Sequence, residues 1–291
     1  MRVAVTGSTG LIGSALVGHL KAEGHSVQRL VRRKPNLSDE VQWDPATGSI
    51  DLAALEGVDA IIHLAGAGVG DKRWTPKYRA TILNSRLLGT TTIANAVSML
   101  KPKVFISASA IGFYGETGNR AVIESDRGGD EFLSAVCREW EATADLASGV
   151  RTVKIRTGLV LDPTGGALGR LLPIFRLGFG GKIGSGKQWW SWITLHDEIK
   201  AITFCMESDI SGVVNLTSPN PVTNQEFTGA LARALHRPAL FPVPAIALKI
   251  IIGGFSSEIL GSAKVIPKAL QDSGFVWDYP HLSPALEALT V

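Results

Sequence analysis

The chain has few cysteines and no hydrophobic run long enough to cross a membrane. Its 291 residues include only Cys137 and Cys205, each in an apolar context without a CxxC pair or a nearby histidine. This excludes a disulfide framework and gives no zinc or other metal site, so two buried free thiols are expected. The most apolar stretch, residues 241–255, is too short to span a bilayer and contains Lys249.

Strong charge of one sign and a secretory leader are also missing. The formal net charge is only +3, and the Lys and Arg residues form no long runs. Met1 and Arg2 lead directly into a strand pattern, with no apolar leader segment before it. A cytoplasmic protein is therefore expected, with a small-molecule substrate and no nucleic-acid or membrane partner.

What the first half does contain is a regular alternation of two patterns. Short runs rich in β-branched residues, almost continuously hydrophobic, are separated by segments with helical periodicity. Such alternation predicts βαβ units and a doubly wound α/β fold, whose parallel sheet is covered by helices on both faces. The predicted strands are 3–6, 26–31, 60–64, 104–107 and 152–160, and the predicted helices are 11–23, 76–100 and 130–146.

From about Pro163 the composition changes to a glycine-rich segment with three tryptophans, Trp189, Trp190 and Trp192. We expect residues 1–160, with about 191–218 returning to them, to form a nucleotide-binding domain. Residues 161–190 and 219–291 would form a smaller α+β lobe that closes a cleft over the substrate. The tryptophans have two interpretations: they form an aromatic wall for a sugar or base, or they form a hydrophobic plug between the lobes.

A glycine motif follows the first predicted strand. Gly7, Gly10 and Gly13 stand at GxxGxxG spacing where the first helix opens. The first two let the backbone turn tightly beside a pyrophosphate, and Gly13 lets helix and strand pack closely. The helix N-terminus adds N–H donors and a positive dipole end, so a dinucleotide site of the Rossmann type is predicted.

The end of the second strand carries basic residues in place of an acid. An acid here would accept hydrogen bonds from the ribose of NAD, whereas this sequence has Arg32, Arg33 and Lys34. A guanidinium can hold a 2′-phosphate through charge-assisted hydrogen bonds, so NADP(H) is the predicted cofactor. The alternative is a solvated basic turn without a ligand.

With this motif, the His63–Gly66 turn, Ser107 to Ser109 and Tyr114-Gly115, the chain resembles the extended short-chain dehydrogenase/reductase superfamily. It looks like the nucleotide-sugar epimerase-like subgroup that has an uncharacterised C-terminal domain. The closer features extend over nearly the whole chain: Arg73-Trp74-Thr75, Asn84-Ser85-Arg86, Trp140-Glu141, Arg156-Thr157-Gly158, residues 183–188 and 264–267. The resemblance implies a nucleotide sugar as substrate and, by analogy, a homodimer.

The catalytic pair of that superfamily is absent. A Tyr-x-x-x-Lys pair aligned on Glu141 would fall at Leu133 and Cys137, which can supply neither the phenol nor the ammonium. Ser109 and Tyr114 remain as candidate catalytic residues, although Tyr114 also fits a structural Tyr-Gly turn.

The resemblance also supports Arg86 as a cofactor contact, because it replaces an asparagine expected three residues before Gly89. The complete set predicted to bind the cofactor follows from the motif, the basic turn and the resemblance: Gly7, Gly10, Leu11, Ile12, Gly13, Arg32, Arg33, Leu64, Ala65, Gly66, Arg86, Ser107 and Val160.

Two other polar positions are expected to be structural. His63 ends a strand, where a buried histidine is more common than a catalytic one. Asp197 opens a helix and is expected to cap backbone N–H groups rather than to act as a general acid.

Two functions therefore stay open. The preferred one is an NADP(H)-dependent, epimerase-like oxidoreductase acting on a small polar substrate with a substituted catalytic apparatus. The alternative is a non-catalytic NADP(H)-binding redox sensor or regulatory protein.

Overall fold

The computed structural model describes residues 1–290. Its strands are β1 Arg2–Thr6, β2 Ser26–Val31, β3 Glu40–Asp44, β4 Ser49–Ile50, β5 Ala60–His63, β6 Val104–Ala110, β7 Ala121–Val122, β8 Arg151–Thr157, β9 Leu159–Asp162, β10 Trp189–Trp190, β11 Trp192–Thr194, β12 Gly212–Leu216, β13 Val222–Thr223 and β14 Lys264–Val265. Its α-helices are α1 Leu11–Ala22, α2 Pro76–Leu100, α3 Phe132–Ala144, α4 Gly166–Arg176, α5 Leu195–Glu207, α6 Asn224–Ala234, α7 Ala245–Ile252, α8 Ser256–Leu260, α9 Lys268–Asp272 and α10 Leu282–Thr290.

Eight strands form the central sheet in the order β12-β8-β6-β5-β1-β2-β3-β4. All neighbours are parallel except the β3–β4 pair. The strand order reverses at β1, which lies between β2 and β5, and ligands of open α/β sheets bind at the carboxyl ends of strands beside such a switch point. The predicted doubly wound α/β fold with a smaller C-terminal region is confirmed.

Each face of the sheet has its own hydrophobic core. On one face α1 and α5 pack Leu16 and Ile202 against Val5 and Ile155. On the other face α2 contributes residues such as Ile93 to a second core. Because both faces of the sheet are buried, the strand sequences are continuous hydrophobic runs.

The predicted strand 152–160 is two strands. It breaks at Gly158, where a Cβ would lie 2.7 Å from the Ser191 carbonyl oxygen. Beyond the break β9 leaves the central sheet and pairs in parallel with β11. The close passage of the Ser191 backbone bends the chain there, and sequence periodicity carries no trace of that contact.

A third core lies beyond the sheet. It joins β9 and α4 with α6 and α10 through Leu161, Leu172, Phe227 and Leu286. Among residues 1–290, no helix combines the length and apolarity needed to cross a membrane.

Candidate functional site

The turn between β1 and α1 is too tight for side chains. Gly7 has φ +67°, and a Cβ there would lie 2.9 Å from the backbone of Leu64. A Cβ on Gly13 would lie 2.2 Å from the Gly7 carbonyl oxygen. Gly10 occupies the N-cap of α1 and donates its N–H to that same oxygen at 3.0 Å. The structure therefore brings the three glycines together at the helix N-terminus.

Thr6 ties this turn to the end of β5. Its hydroxyl oxygen accepts hydrogen bonds from the N–H groups of Leu64 (3.1 Å) and Ala65 (3.2 Å). The hydroxyl proton is then directed to Nδ1 of His63, 2.7 Å away. Complete burial lowers the pKa of His63 to about 3, so the ring is neutral and its role is structural. Thr6 is not among the residues predicted from sequence.

The basic turn after β2 is partly neutralised by an acid from β3. Arg33 pairs with Glu40 through two hydrogen bonds of 2.6 and 2.8 Å, and Arg29 pairs with both Asp39 and Glu40. The Arg33 hydrogen bond holds the pKa of Glu40 at about 2. Arg32 is exposed and has no hydrogen-bond or ion-pair partner within the part of the chain that the structure describes. Arg32 is therefore the guanidinium available to an anion.

Arg86 is an inward-facing cation without a carboxylate partner among residues 1–290. Its Nη1 donates to the carbonyl oxygens of Ala67 and Ile82, both at 3.0 Å, and its guanidinium lies 4.7 Å from the Trp140 ring centroid. A Cβ on Gly66 would lie 3.5 Å from this guanidinium. Burial lowers the pKa of Arg86 from its ordinary value. An unpaired cation in such a place is suited to an anionic ligand.

The two positions that replace the superfamily's catalytic pair lie at the end of β6. Leu133 of α3 packs against Gly112, where a Cβ would be 3.4 Å from the Leu133 Cβ. The Cys137 thiol lies 3.7 Å from the Ala110 carbonyl oxygen, and burial raises its pKa to about 12. This thiol is neutral at physiological pH and supplies neither a cation nor a thiolate.

Ser109 and Tyr114 belong to one buried hydrogen-bond network. Ser109 donates to Glu141 at 2.6 Å, and Arg156 donates to both oxygens of Glu141 at 2.8 Å. The Tyr114 hydroxyl accepts from Arg156 at 2.9 Å and donates to Asn215 at 2.8 Å. Burial raises the pKa of Tyr114 to about 12. With both bonding directions engaged, the phenol fits the structural alternative better than a proton donor.

Four other predicted cofactor residues lie in α1, β6 and β9. Leu11 lies against the loop before α4, where a Cβ on Gly165 would be 3.2 Å from it. Ile12 and Val160 are half-buried beside the core under α1. The Ser107 side chain is buried, and its hydroxyl has no hydrogen-bond partner among the described residues.

The three tryptophans do not all fit the same alternative, an aromatic wall for a ligand or a hydrophobic plug. Trp192 is fully buried in the third core, and Trp190 packs edge-on against Phe227 at 5.2 Å. Trp189 instead donates its indole N–H to Asn119 and stacks under Lys264, whose ammonium is 4.0 Å from the ring centroid. Trp190 and Trp192 therefore pack in the third core, which leaves Trp189 as the candidate for a ligand-facing wall.

The expectation for Asp197 needs correction. Thr194 is the N-cap of α5 and accepts the N–H of Asp197. The Asp197 carboxylate instead accepts the N–H groups of Asp278 and Tyr279 at 2.9 and 3.0 Å. These hydrogen bonds hold the segment that contains Asp278 and Tyr279 against α5, although Asp197 lies far from both residues in the sequence.

Comparison with known proteins gives this arrangement a family. Residues 3–217 match the model of the NAD dependent epimerase/dehydratase family, and residues 243–289 match a domain of unknown function, DUF1731. The chain belongs to the NAD dependent epimerase/dehydratase family. The predicted membership in the extended short-chain dehydrogenase/reductase superfamily, with an uncharacterised C-terminal domain, is confirmed.

Several known proteins are similar to this chain over nearly all of its length. Epimerase family protein Mb2239 of Mycobacterium bovis is 42% identical over 98% of this chain and 96% of its own. The crystal structure of human epimerase family protein SDR39U1 with NADPH has 34% identity and a TM-score of 0.93, covering 100% of this chain and 99% of that one. A nucleoside-diphosphate sugar epimerase from Corynebacterium glutamicum has 33% identity and a TM-score of 0.81, and this chain covers 58% of it.

Proposed function

We propose that this protein binds NADP(H) in the turn between β1 and α1 and acts as an epimerase-like oxidoreductase on a small polar substrate. The observation that carries the proposal is the glycine turn: Gly7 and Gly13 leave no space for a Cβ beside an N-terminus that offers free N–H groups. A cofactor bound there would supply the hydride. The NADPH in the crystal structure of human SDR39U1 supports the same assignment.

Two arginines would hold the anionic parts of the cofactor. Arg32 would hold the 2′-phosphate, because Arg33 is already paired with Glu40. Arg86 would bind a second anionic or hydroxyl group beside Gly66, since its guanidinium has no carboxylate partner among the described residues. Leu64 and Ala65, held by Thr6, would line the passage between these two arginines.

A nucleotide sugar is the substrate class we propose, as in the Corynebacterium glutamicum protein. It would lie in a cleft between residues 1–160 with 191–218 and a lobe formed by 161–190 and 219–290. The predicted lobe extends to residue 291, which lies outside the residues that the structure describes. Ser109 and Tyr114 stay predictions as catalytic residues, and the homodimer stays a prediction as well.

A non-catalytic NADP(H) sensor is the second candidate. It is favoured by Leu133 and Cys137 in place of a proton donor and a cation, and by the Tyr114 phenol, which already has two partners. The two candidates differ in turnover: a sensor binds NADPH without hydride transfer to any of a panel of nucleotide sugars and carbonyl compounds.

The test is calorimetric titration of the protein with NADPH and NADH. Arg32→Ala should weaken NADPH binding by about 2 kcal/mol, because one charge-assisted contact to the phosphate is lost, and should leave NADH binding nearly unchanged. Arg233→Ala, an exposed arginine on α6, is the matched control. Equal loss for both cofactors would refute the phosphate assignment, and no binding of NADPH by the wild type would refute the function.

A further inference from the structure

The net positive charge of this protein comes from two segments that contain no acidic residue. Residues 163–196 and 227–257 hold seven of the 29 Lys and Arg residues and none of the 26 Asp and Glu residues. The rest of the chain therefore has 22 basic against 26 acidic residues, so the net charge of +3 originates in these segments. All seven cations are exposed, and none forms an ion pair within residues 1–290: Arg170, Arg176, Lys182, Lys187, Arg233, Arg237 and Lys249.

The two segments lie side by side in the fold. Arg237 donates its Nε–H to the carbonyl oxygen of Arg176 at 3.1 Å. A few residues on, the N–H of Phe241 donates to Gly180 at 3.1 Å and that of Val243 to Lys182 at 2.9 Å. Cations that are far apart in sequence therefore share one region of the surface, where their fields add.

The same segments expose most of the large apolar side chains on the surface. They make up less than a quarter of the chain but carry eight of its 14 exposed large hydrophobic residues. The Phe179 and Phe241 rings pack on each other at 5.7 Å while both remain more than half exposed. The eight residues are Ile174, Leu177, Phe179, Leu240, Phe241, Ile246, Ile250 and Ile251.

Helix α7 shows the combination most clearly. Its sequence is AIALKIII, and none of its residues is buried. Ile246, Lys249 and Ile250 are spaced i, i+3, i+4, so they share one face, and all three are exposed. An eight-residue helix is not stable by itself in water, and an unburied apolar face adds nothing to its stability until something covers that face.

In place of the expectation from sequence that the protein has no membrane partner, we propose that these eight apolar residues and seven cations form a docking surface for an anionic lipid bilayer. Ile and Phe side chains would enter the boundary between headgroups and acyl chains, while Lys and Arg would remain at the level of the lipid phosphates. Each cation near an anionic leaflet adds attraction that salt screens. None of these residues is among those proposed to hold the cofactor, although all of them belong to the lobe proposed to close over the substrate. NADPH titration therefore distinguishes failure of this proposal from failure of the proposed cofactor site.

Charge decides against a second copy of this chain as the occupant. A two-fold contact places the same patch on both subunits, so seven cations would face seven cations. Glu287 lines a surface depression with Arg233 and Arg237 and offsets only part of this excess. An anionic bilayer complements both the charge and the apolar character of the surface.

The proposal is tested by flotation of the whole protein with vesicles of phosphatidylcholine, with and without phosphatidylglycerol. Binding should require phosphatidylglycerol and weaken as salt rises. Ile246→Ser with Ile250→Ser, and separately Lys182→Glu with Arg237→Glu, should each lower the partition coefficient by about tenfold or more. Met99→Ser with Leu146→Ser removes equally exposed apolar residues elsewhere and should leave it unchanged.

Equal binding to both vesicle types, or unchanged binding in both surface variants, would overturn the proposal. The proposal would also be overturned if sedimentation showed that the wild type is a dimer and that only the surface variants are monomeric. A second copy of this chain would then cover the patch. Thermal unfolding and NADPH titration establish that each variant is folded. If the Ser pair fails to fold, Ile246→Ala with Ile250→Ala takes its place.

Discussion

The two faces of the central sheet differ in how their buried acidic side chains are compensated. On the α2–α3 face, the Glu141 carboxylate is paired with Arg156 and accepts a further hydrogen bond from Ser109. On the α1–α5 face, Glu198 is completely buried with a single donor, Thr157 at 2.7 Å. Its other oxygen has no partner among the described residues, and burial raises the pKa of Glu198 to about 8. One face thus holds a compensated polar network, and the other an acid that is protonated at neutral pH.

The two faces also carry different parts of the candidate site. The glycine turn belongs to the α1–α5 face, where its tight backbone packing would form the proposed cradle for a dinucleotide. The polar network of the opposite face engages the groups that chemistry would otherwise use, Ser109 and Tyr114. Among the described residues, the glycine turn and the polar network share no hydrogen bond, so the two can be perturbed one at a time.

The largest effect on the candidate site is expected at Gly13. Gly13→Ala places a Cβ 2.2 Å from the Gly7 carbonyl oxygen, so α1 must move away from β1. The free energy of unfolding should fall by about 3 kcal/mol, with loss of NADPH binding. Gly18→Ala on the same helix has no atom within 4 Å and should be neutral or stabilising. Chemical denaturation and NADPH titration compare the two, and similar behaviour of both variants would disprove the tight packing.

Glu198 is the next test, because it concerns the uncompensated acid. Between its ordinary pKa of 4.5 and about 8, the folded protein keeps a proton that the unfolded chain has released. The free energy of unfolding therefore falls as pH rises through that window. Glu198→Gln keeps the bond from Thr157 but cannot ionise, so it should be more stable than the wild type by about 5 kcal/mol at pH 9. Parallel stability–pH curves for the two proteins would contradict the raised pKa.

On the opposite face, Arg86→Ala should weaken NADPH binding by about 2 kcal/mol, since a charge-assisted contact disappears. Lys77→Ala, an exposed cation at the start of α2, controls for net charge. Calorimetric titration provides both values. Unchanged affinity in Arg86→Ala would mean that this guanidinium serves only the loop carbonyl of Ala67 and the Trp140 ring.

The smallest effect is expected for Tyr114→Phe, which leaves Arg156 and Asn215 each short of one partner. A loss of about 1 kcal/mol in the free energy of unfolding is expected, without any change in NADPH affinity. Tyr279→Phe, whose hydroxyl has no partner among residues 1–290, should cost less. If Tyr114→Phe abolished hydride transfer while stability stayed unchanged, the catalytic role would replace the structural one.

Local patterns in the sequence were enough for the sheet, its main helices and the glycine turn. The helix 76–100 has its predicted bounds, because Pro76 and the end of the apolar periodicity mark them locally. The short strand β3 was not predicted, and with it the Glu40 carboxylate that occupies Arg33. That pairing depends on strand order, which residue spacing along the chain does not encode.

The sequence by itself determined the fold class, the family and the position of the glycine turn, since each rests on periodicity or on residues close together in the chain. Tertiary structure alone decided which polar groups are free to act. It engaged Arg33 and Tyr114, left Arg32 and Arg86 without an acidic partner among the described residues, and buried Glu198 without a cation. The protonation and availability of a side chain depend on neighbours within a few ångströms, and those neighbours come from distant parts of the chain.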